Sequence, residues 1–322
     1  MEKIYPYAVS KIKAKENRLL TKANLEQLAS EKDIGRIVSV LREKEYDFDI
    51  VQRYEDYELV LKNAEENLYK LIKEIIDESD FVEIFLSQND YYNVKLILKS
   101  KIQKKEYKDS LIDSGTISKT EIDEIMINEE YDKLENNMKE AIEQAIELYE
   151  KSKMPFVIDS ILDKACFGKM KELAKKIKNE YISKYIEKLI DITNIKTFFR
   201  VRKIYKKSSI FEISYIEGGK INLKTFIENL NEDDQNLKYK FMGFSDTIEQ
   251  ALYNYEKLDK FCDNYIMSYM KEAKLKALTI EPVVAYIYAK QTEFKNIRII
   301  FTGKLNNISN EKIKERLRES YV

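Results

Sequence analysis

The apolar positions of this chain recur every three or four residues over most of its length. Leu61, Ala64, Leu68, Leu71, Ile72, Ile75 and Ile76 keep that step and predict a helix within 54–79. Between residues 7 and 46 the same spacing holds, with a break near 21–24. Leu25, Leu28 and Ala29 form one stripe there, and Ile34, Ile37, Val38 and Leu41 another. Two helices meet near Met154-Pro155-Phe156, because proline opens a helix more readily than it sits inside one. Glu281-Pro282 reads as a further start, and Ile313 with Leu317 predicts a closing helix over 311–321. The pattern is that of an all-α protein.

Composition strengthens that reading. Seven Gly and three Pro in 322 residues leave little material for the tight turns of a β fold. Charged residues make up 35% of the chain, yet 56 bases against 57 acids give a net charge of −1. Such a balance argues against bulk attraction to nucleic acid or anionic lipid. Cys166 and Cys262 form no CxxC pair and read as two buried thiols in a reducing compartment. The first residues lack the apolar core of a signal peptide, and no apolar run approaches the roughly 18 residues that cross a bilayer. The expectation is a cytoplasmic protein, peripheral to a membrane only through protein contacts.

One short stretch occurs three times, as Asp90-x-x-Asn93-Val94-Lys95, Asp191-x-x-Asn194-Ile195-Lys196 and Glu293-x-x-Asn296-Ile297-Arg298. The asparagines lie 101 and then 102 residues apart (194 − 93, 296 − 194). That period is too long for a solenoid of 20–50-residue repeats and implies a triplicated small domain. Glycines return at matching places: Gly115 ahead of Ser118 and Glu121, which have capping-box spacing, and Gly218-Gly219 ahead of the cap Asn222. Gly115 is expected in a left-handed turn. The units are then 1–115, 116–219 and 220–322.

A search for chemistry returns absences. The chain has no histidine, so the commonest general base and zinc ligand are missing. Both Gly-Lys pairs fail the phosphate-loop pattern, with Asp163 and Arg298 where its first glycine belongs. No catalytic, cofactor-binding or metal residue is expected. Basic residues are the positive feature. Lys196, Arg200, Lys203 and Lys207 keep helical spacing beside Arg202, and Lys95, Lys99 and Lys101 occupy the same place in the first copy. These stripes are either solvated faces or a ring of charge around an acidic partner. The Asp-x-x-Asn core likewise either satisfies backbone groups at a helix junction or presents its basic residue to a shared axis.

Longer runs carry a resemblance. The stretch from Glu281-Pro-Val-Val-Ala-Tyr to Phe-Thr-Gly303-Lys304-Leu, with Arg18-Leu19-Leu20-Thr21, Pro155-Phe-Val-Ile-Asp159-Ser-Ile-Leu-Asp163-Lys164 and the Gly218-Gly219 turn, resembles the C subunit of V-type ATPases and ATP synthases. The resemblance implies three helical units about a pseudo-threefold axis, forming a funnel. It implies no chemistry of its own. The funnel joins central shaft subunits of the D/F type to the membrane rotor ring of an enzyme driving H⁺ or Na⁺. Partner contacts are expected among Lys95, Lys99, Lys101, Lys196, Arg200, Arg202, Arg298 and Lys304. A helical scaffold or adaptor outside any rotary enzyme is the alternative.

Overall fold

Helices dominate the computed structural model, which describes residues 4–241 and 244–322 and contains no strand among them. In chain order they are α1 (Pro6–Glu16), α2 (Lys22–Ser30), α3 (Ile34–Glu43), α4 (Tyr57–Ile75), α5 (Ser79–Gln103), α6 (Lys119–Asn128), α7 (Asn136–Ser152) and α8 (Phe156–Ile177). There follow α9 (Glu180–Arg200), α10 (Ser208–Ser214), α11 (Leu223–Glu228), α12 (Asp234–Lys240), α13 (Ser245–Tyr253), α14 (Leu258–Lys271), α15 (Glu281–Leu305) and α16 (Asn310–Arg316). The all-α expectation holds.

Local sequence explains most boundaries. Thr21 caps α2 through a capping box with Asn24, at the break anticipated from the apolar pattern. Ser118, Asn179, Asn222 and Ser309 each accept a first-turn N–H of the helix they precede. Pro155 and Pro282 open α8 and α15 as expected. Three expectations need correction. The helix within 54–79 is a 3₁₀ turn (Tyr54–Asp56) followed by α4, and Ser79 already belongs to α5. The basic stripe beyond Arg200 does not stay α-helical: a π turn over Val201–Tyr205 ends at Lys206, whose φ of 54° throws Lys207 off the face. The closing helix stops at Arg316, and Leu317 is already extended.

The chain forms two compact units, one from residues up to Asp77 with Gln250–Val322, the other from Glu78–Glu249. In the first, α15 is the central element: α1, α2, α4, α14 and α16 all pack on it. Its residues 282–289 are apolar on every side and buried, as a surrounded helix must be. Gly303 permits close contact with α16, since a Cβ there would lie 2.5 Å from Ile313 Cγ1. In the second unit α8 is the hub, packed by α5, α7, α9 and α10. Beyond it Phe198, Phe211, Phe226 and Phe241, each at most 1% exposed, form an aromatic cluster. Their ring centroids lie 4.9–6.1 Å apart in edge and tilted arrangements. Such pairs contribute about 0.5–1.5 kcal/mol each beyond the area they bury. Phe226 touches the three others, so Phe226→Ala should lower stability by about 3–5 kcal/mol, read from urea unfolding of the full chain.

Candidate functional site

The three copies of the repeated stretch lie in the middle of α5, α9 and α15 rather than at helix junctions. Acid and asparagine are three residues apart and share a helix face. Each asparagine is at most 1% exposed and grips one residue of a returning segment with both ends of its amide. Asn93 Nδ2 donates to the Ile112 carbonyl at 2.7 Å, and the Ile112 N–H donates to Asn93 Oδ1 at 2.9 Å. Asn194 makes the same pair with Ile216, at 2.8 and 2.9 Å. Asn296 makes it with Arg318, at 3.2 and 2.8 Å. The last pair explains why α16 ends early: Arg318 must turn its N–H and carbonyl to Asn296.

The acid receives the next stretch of backbone. Asp90 accepts N–H bonds from Thr116 at 3.0 Å and Ile117 at 3.2 Å, plus the Thr116 hydroxyl at 2.6 Å. Asp191 accepts from Lys220 N–H at 3.0 Å and Ile221 N–H at 3.1 Å. In both cases the next residue, Ser118 or Asn222, caps the following helix. Glu293 does the same for the beginning of the chain. It accepts the Leu20 N–H, and Thr21 then caps α2. Its other oxygen accepts from Tyr46 Oη at 2.5 Å and Lys290 Nζ at 2.6 Å.

Close approach, not backbone conformation, selects the repeated glycine. A Cβ at Gly115 would lie 2.1 Å from Asp90 Oδ1, and one at Gly219 would lie 2.2 Å from Asp191 Oδ1. Gly115 is not in the left-handed region, contrary to expectation; Gly218 is, with φ 111°. Ser114 replaces Gly218 in the first copy and does not adopt that φ. Burial pushes the carboxyls of Asp90 and Asp191 above the ordinary range, against the pull of the N–H donors. Burial, then the Glu293 charge, holds the Tyr46 phenol well above its usual value.

Most of the repeated basic residues bond within their own unit. Lys95 and Lys99 of α5 reach Asp163 at 2.5 Å and Asp159 at 2.9 Å on α8, two rungs of an antiparallel ladder. Burial lowers the Lys95 pKa, but the charge and hydrogen bond of Asp163, with Cys166 and Asp159, together outweigh it and the net direction is upward. Lys101 donates to the Met126 carbonyl near the end of α6. Arg202 donates to the carbonyls of Leu230 (2.9 Å) and Glu232 (2.6 Å) and pairs with Asp234. Arg298 pairs with Glu58 of α4 at 3.0 Å, and Lys304 ties the Ala29 carbonyl to Asn310. Lys196 is half-buried on α9, and Arg200 is exposed with its guanidinium 6.0 Å from the Phe156 ring centre. Asp159 and Asp163 were visible only as part of a family-like run. Their four-residue spacing, matching that of Lys95 and Lys99, was the signal that could have paired them.

Neither cysteine is a reactive thiol: both are buried and unbridged, and burial raises the Cys166 pKa to about 12. Among the described residues no cluster of three or more His, Cys, Asp or Glu side chains could hold a metal, and no helix is long and apolar enough to cross a membrane. A sequence profile of the ATP synthase (C/AC39) subunit family matches residues 8–316. Over 317 residues the chain is 23% identical to the C subunit of the V-type sodium ATPase of Enterococcus hirae, covering 96% of this chain and 97% of that one. It is 24% identical to the C subunit of the A-type ATP synthase of Methanosarcina acetivorans, at 97% and 92% coverage. For the A-type protein of the same kind from Thermococcus gammatolerans the identity is 23%, at 98% and 90%.

Asn194→Ala removes both partners of a buried backbone pair and should cost about 2–4 kcal/mol in urea unfolding. Gly219→Ala, which drives a methyl against Asp191, should cost about 1–3 kcal/mol. A pH series gives a third check. The Asp191 pKa is raised on folding, so its contribution is largest below the unfolded value of about 4 and falls as pH rises through the folded one. The stability margin of the parent protein over Asp191→Asn should therefore narrow from pH 4 to about pH 7.

Proposed function

The chain belongs to the ATP synthase (C/AC39) subunit family, and we propose that it serves as the non-catalytic central-stalk subunit of a V/A-type rotary ATPase. In this reading it couples the D/F-type shaft subunits to the membrane rotor ring of an H⁺- or Na⁺-translocating complex. It sits on the cytoplasmic face, peripheral to the bilayer. The observation that carries the proposal is the family match from residue 8 to residue 316, with relatives of nearly equal length that are C subunits of V-type and A-type enzymes.

The acid and asparagine contacts to returning backbone support it physically. A body that transmits rotation must resist shear between its helices. Hydrogen bonds to a buried charge contribute about 1.5–3 kcal/mol each, and they fix direction as well as distance. The proposal keeps the three units 1–115, 116–219 and 220–322. Glu293, by holding the start of the chain as Asp90 and Asp191 hold the start of the next unit, is what a closed triplication requires.

Of the eight basic residues expected at partner surfaces, exposed Arg200 is put forward first, with half-exposed Arg298 and Lys196 next. Affinity-tagged chain should bring down both shaft and ring subunits from detergent-solubilised membranes; a chain recovered without either overturns the assignment. Arg200→Glu should leave the circular dichroism spectrum unchanged and weaken that association about three- to tenfold, as loss of an exposed charge contact does. Removal of the chain should leave ATP hydrolysis by the catalytic head while abolishing ATP-driven ion uptake into vesicles.

A further inference from the structure

A cleft of about 600 Å³ opens in the first unit between α2, α14 and the stretch from α16 to the last residues. Six cations line it, Lys22, Lys260, Lys271, Lys274, Lys314 and Arg318, against the acids Glu26 and Glu319. Internal pairing does not use up this charge. Lys271 meets Glu319 at 2.9 Å, but Lys260 donates to the Glu315 carbonyl and Lys274 lies over the Tyr321 ring at 5.1 Å. Burial, followed by neighbouring cations, lowers the pKa of both Lys260 and Lys274. With Lys22 paired to Glu26, Lys271 to Glu319 and Arg318 to Asp263, the cleft keeps Lys260, Lys274 and Lys314 as positive charge not tied up in an ion pair.

The connection that carries the cleft residue Lys274 is partly apolar and unusual among the three repeats. Between α14 and α15 run nine residues (272–280), against three between α4 and α5 and two between α8 and α9. This longer connection carries Leu275, 95% exposed, and Leu278, 53% exposed. The Tyr5 N–H donates to the Leu278 carbonyl, which brings exposed Ile4 and Tyr7 to the same patch.

We propose that this cleft, with the exposed leucines that follow Lys274 in the chain, forms a docking site for an acidic polypeptide segment that also carries apolar side chains. A compact phosphate site uses converging backbone N–H groups or a free guanidinium fork. Here the single guanidinium, Arg318, is engaged by Asp263 at 3.0 Å and by the Arg316 carbonyl. The lysines instead come from separate elements as point charges, which suits a string of carboxylates. The leucines supply the apolar component of the contact. This site goes beyond the stalk assignment and stands on the geometry of one unit.

The test uses the full chain and a fluorescein-labelled peptide of about twelve residues repeating Glu-Glu-Leu, read by fluorescence anisotropy at about 50 mM salt, where screening is weak. Saturable binding is expected, weakened about tenfold by Lys271→Glu with Lys274→Glu and at least about threefold by Leu275→Ser with Leu278→Ser. Lys184→Glu with Lys224→Glu, on exposed helix faces of the other unit, should leave it unchanged. Equal weakening by that control pair, no effect of the cleft variants, or displacement of the peptide by equimolar inorganic phosphate overturns the proposal. So does uptake by phosphatidylglycerol vesicles in the absence of peptide binding. Circular dichroism of each variant separates lost binding from lost fold. Retained co-purification with shaft and ring subunits in the cleft variants would leave the stalk role standing whatever the peptide does.

Discussion

A carboxylate and a carboxamide one turn apart in the middle of a buried helix are costly unless every polar atom is answered. Here they are answered by backbone, and the two side chains divide the work by chemistry. The asparagine amide has one donor end and one acceptor end, and so matches the carbonyl and N–H of a single residue. The carboxylate only accepts, and so matches N–H groups that succeed one another where a chain approaches a helix start. Acid and amide therefore cannot exchange places. The amide holds the segment that arrives 19 residues later at Ile112, or 22 later at Ile216 and Arg318, and the acid aims the backbone beyond that segment.

The third copy departs from the other two in a way its neighbours explain. Glutamate reaches one methylene further than aspartate, and the residue in the glycine's register, two before the Leu20 donor, is Arg18. A longer side chain need not press its carboxylate against that Cα. It gives up the second backbone N–H and gains the Tyr46 hydroxyl and the Lys290 ammonium, which lies 4.4 Å from the centre of the Tyr46 ring. Beginning and end of the chain meet at this carboxylate, with the Lys304–Ala29 and Asn310–Ser30 bonds as further ties. The two ends of the chain are thus parts of one unit.

Helix class, the proline starts, the break at 21–24, the caps at Ser118 and Asn222, and the repeat itself were all legible, because each is written in local spacing. What the repeat does was not. The partner of each asparagine is a main-chain group, and any residue type can supply one, so Ile112, Ile216 and Arg318 carry no mark. Glycine was legible as a requirement but not as a cause: a left-handed turn and a side chain pressing on Cα select the same residue. The basic stripes were ambiguous for a related reason. Helical spacing places Lys95 and Lys99 on one face but does not say whether that face meets solvent or the Asp159–Asp163 face of another helix.

That last ambiguity bears on how the chain holds its partners. At least six of the eight repeated or outer basic residues bond inside the two compact units, where they stiffen helix contacts. A net charge of −1 then describes the chain poorly, since it averages internally paired cations with unpaired ones. Attraction acts over about 8–10 Å at ordinary salt, so it is set by the local balance and not by the sum. In the first unit's cleft that balance is positive, because Lys260, Lys274 and Lys314 remain after Lys22, Lys271 and Arg318 pair with Glu26, Glu319 and Asp263. Overall neutrality therefore does not exclude a local attraction for an acidic segment, because only a ligand that fits the cleft comes within range of most of its charges at once.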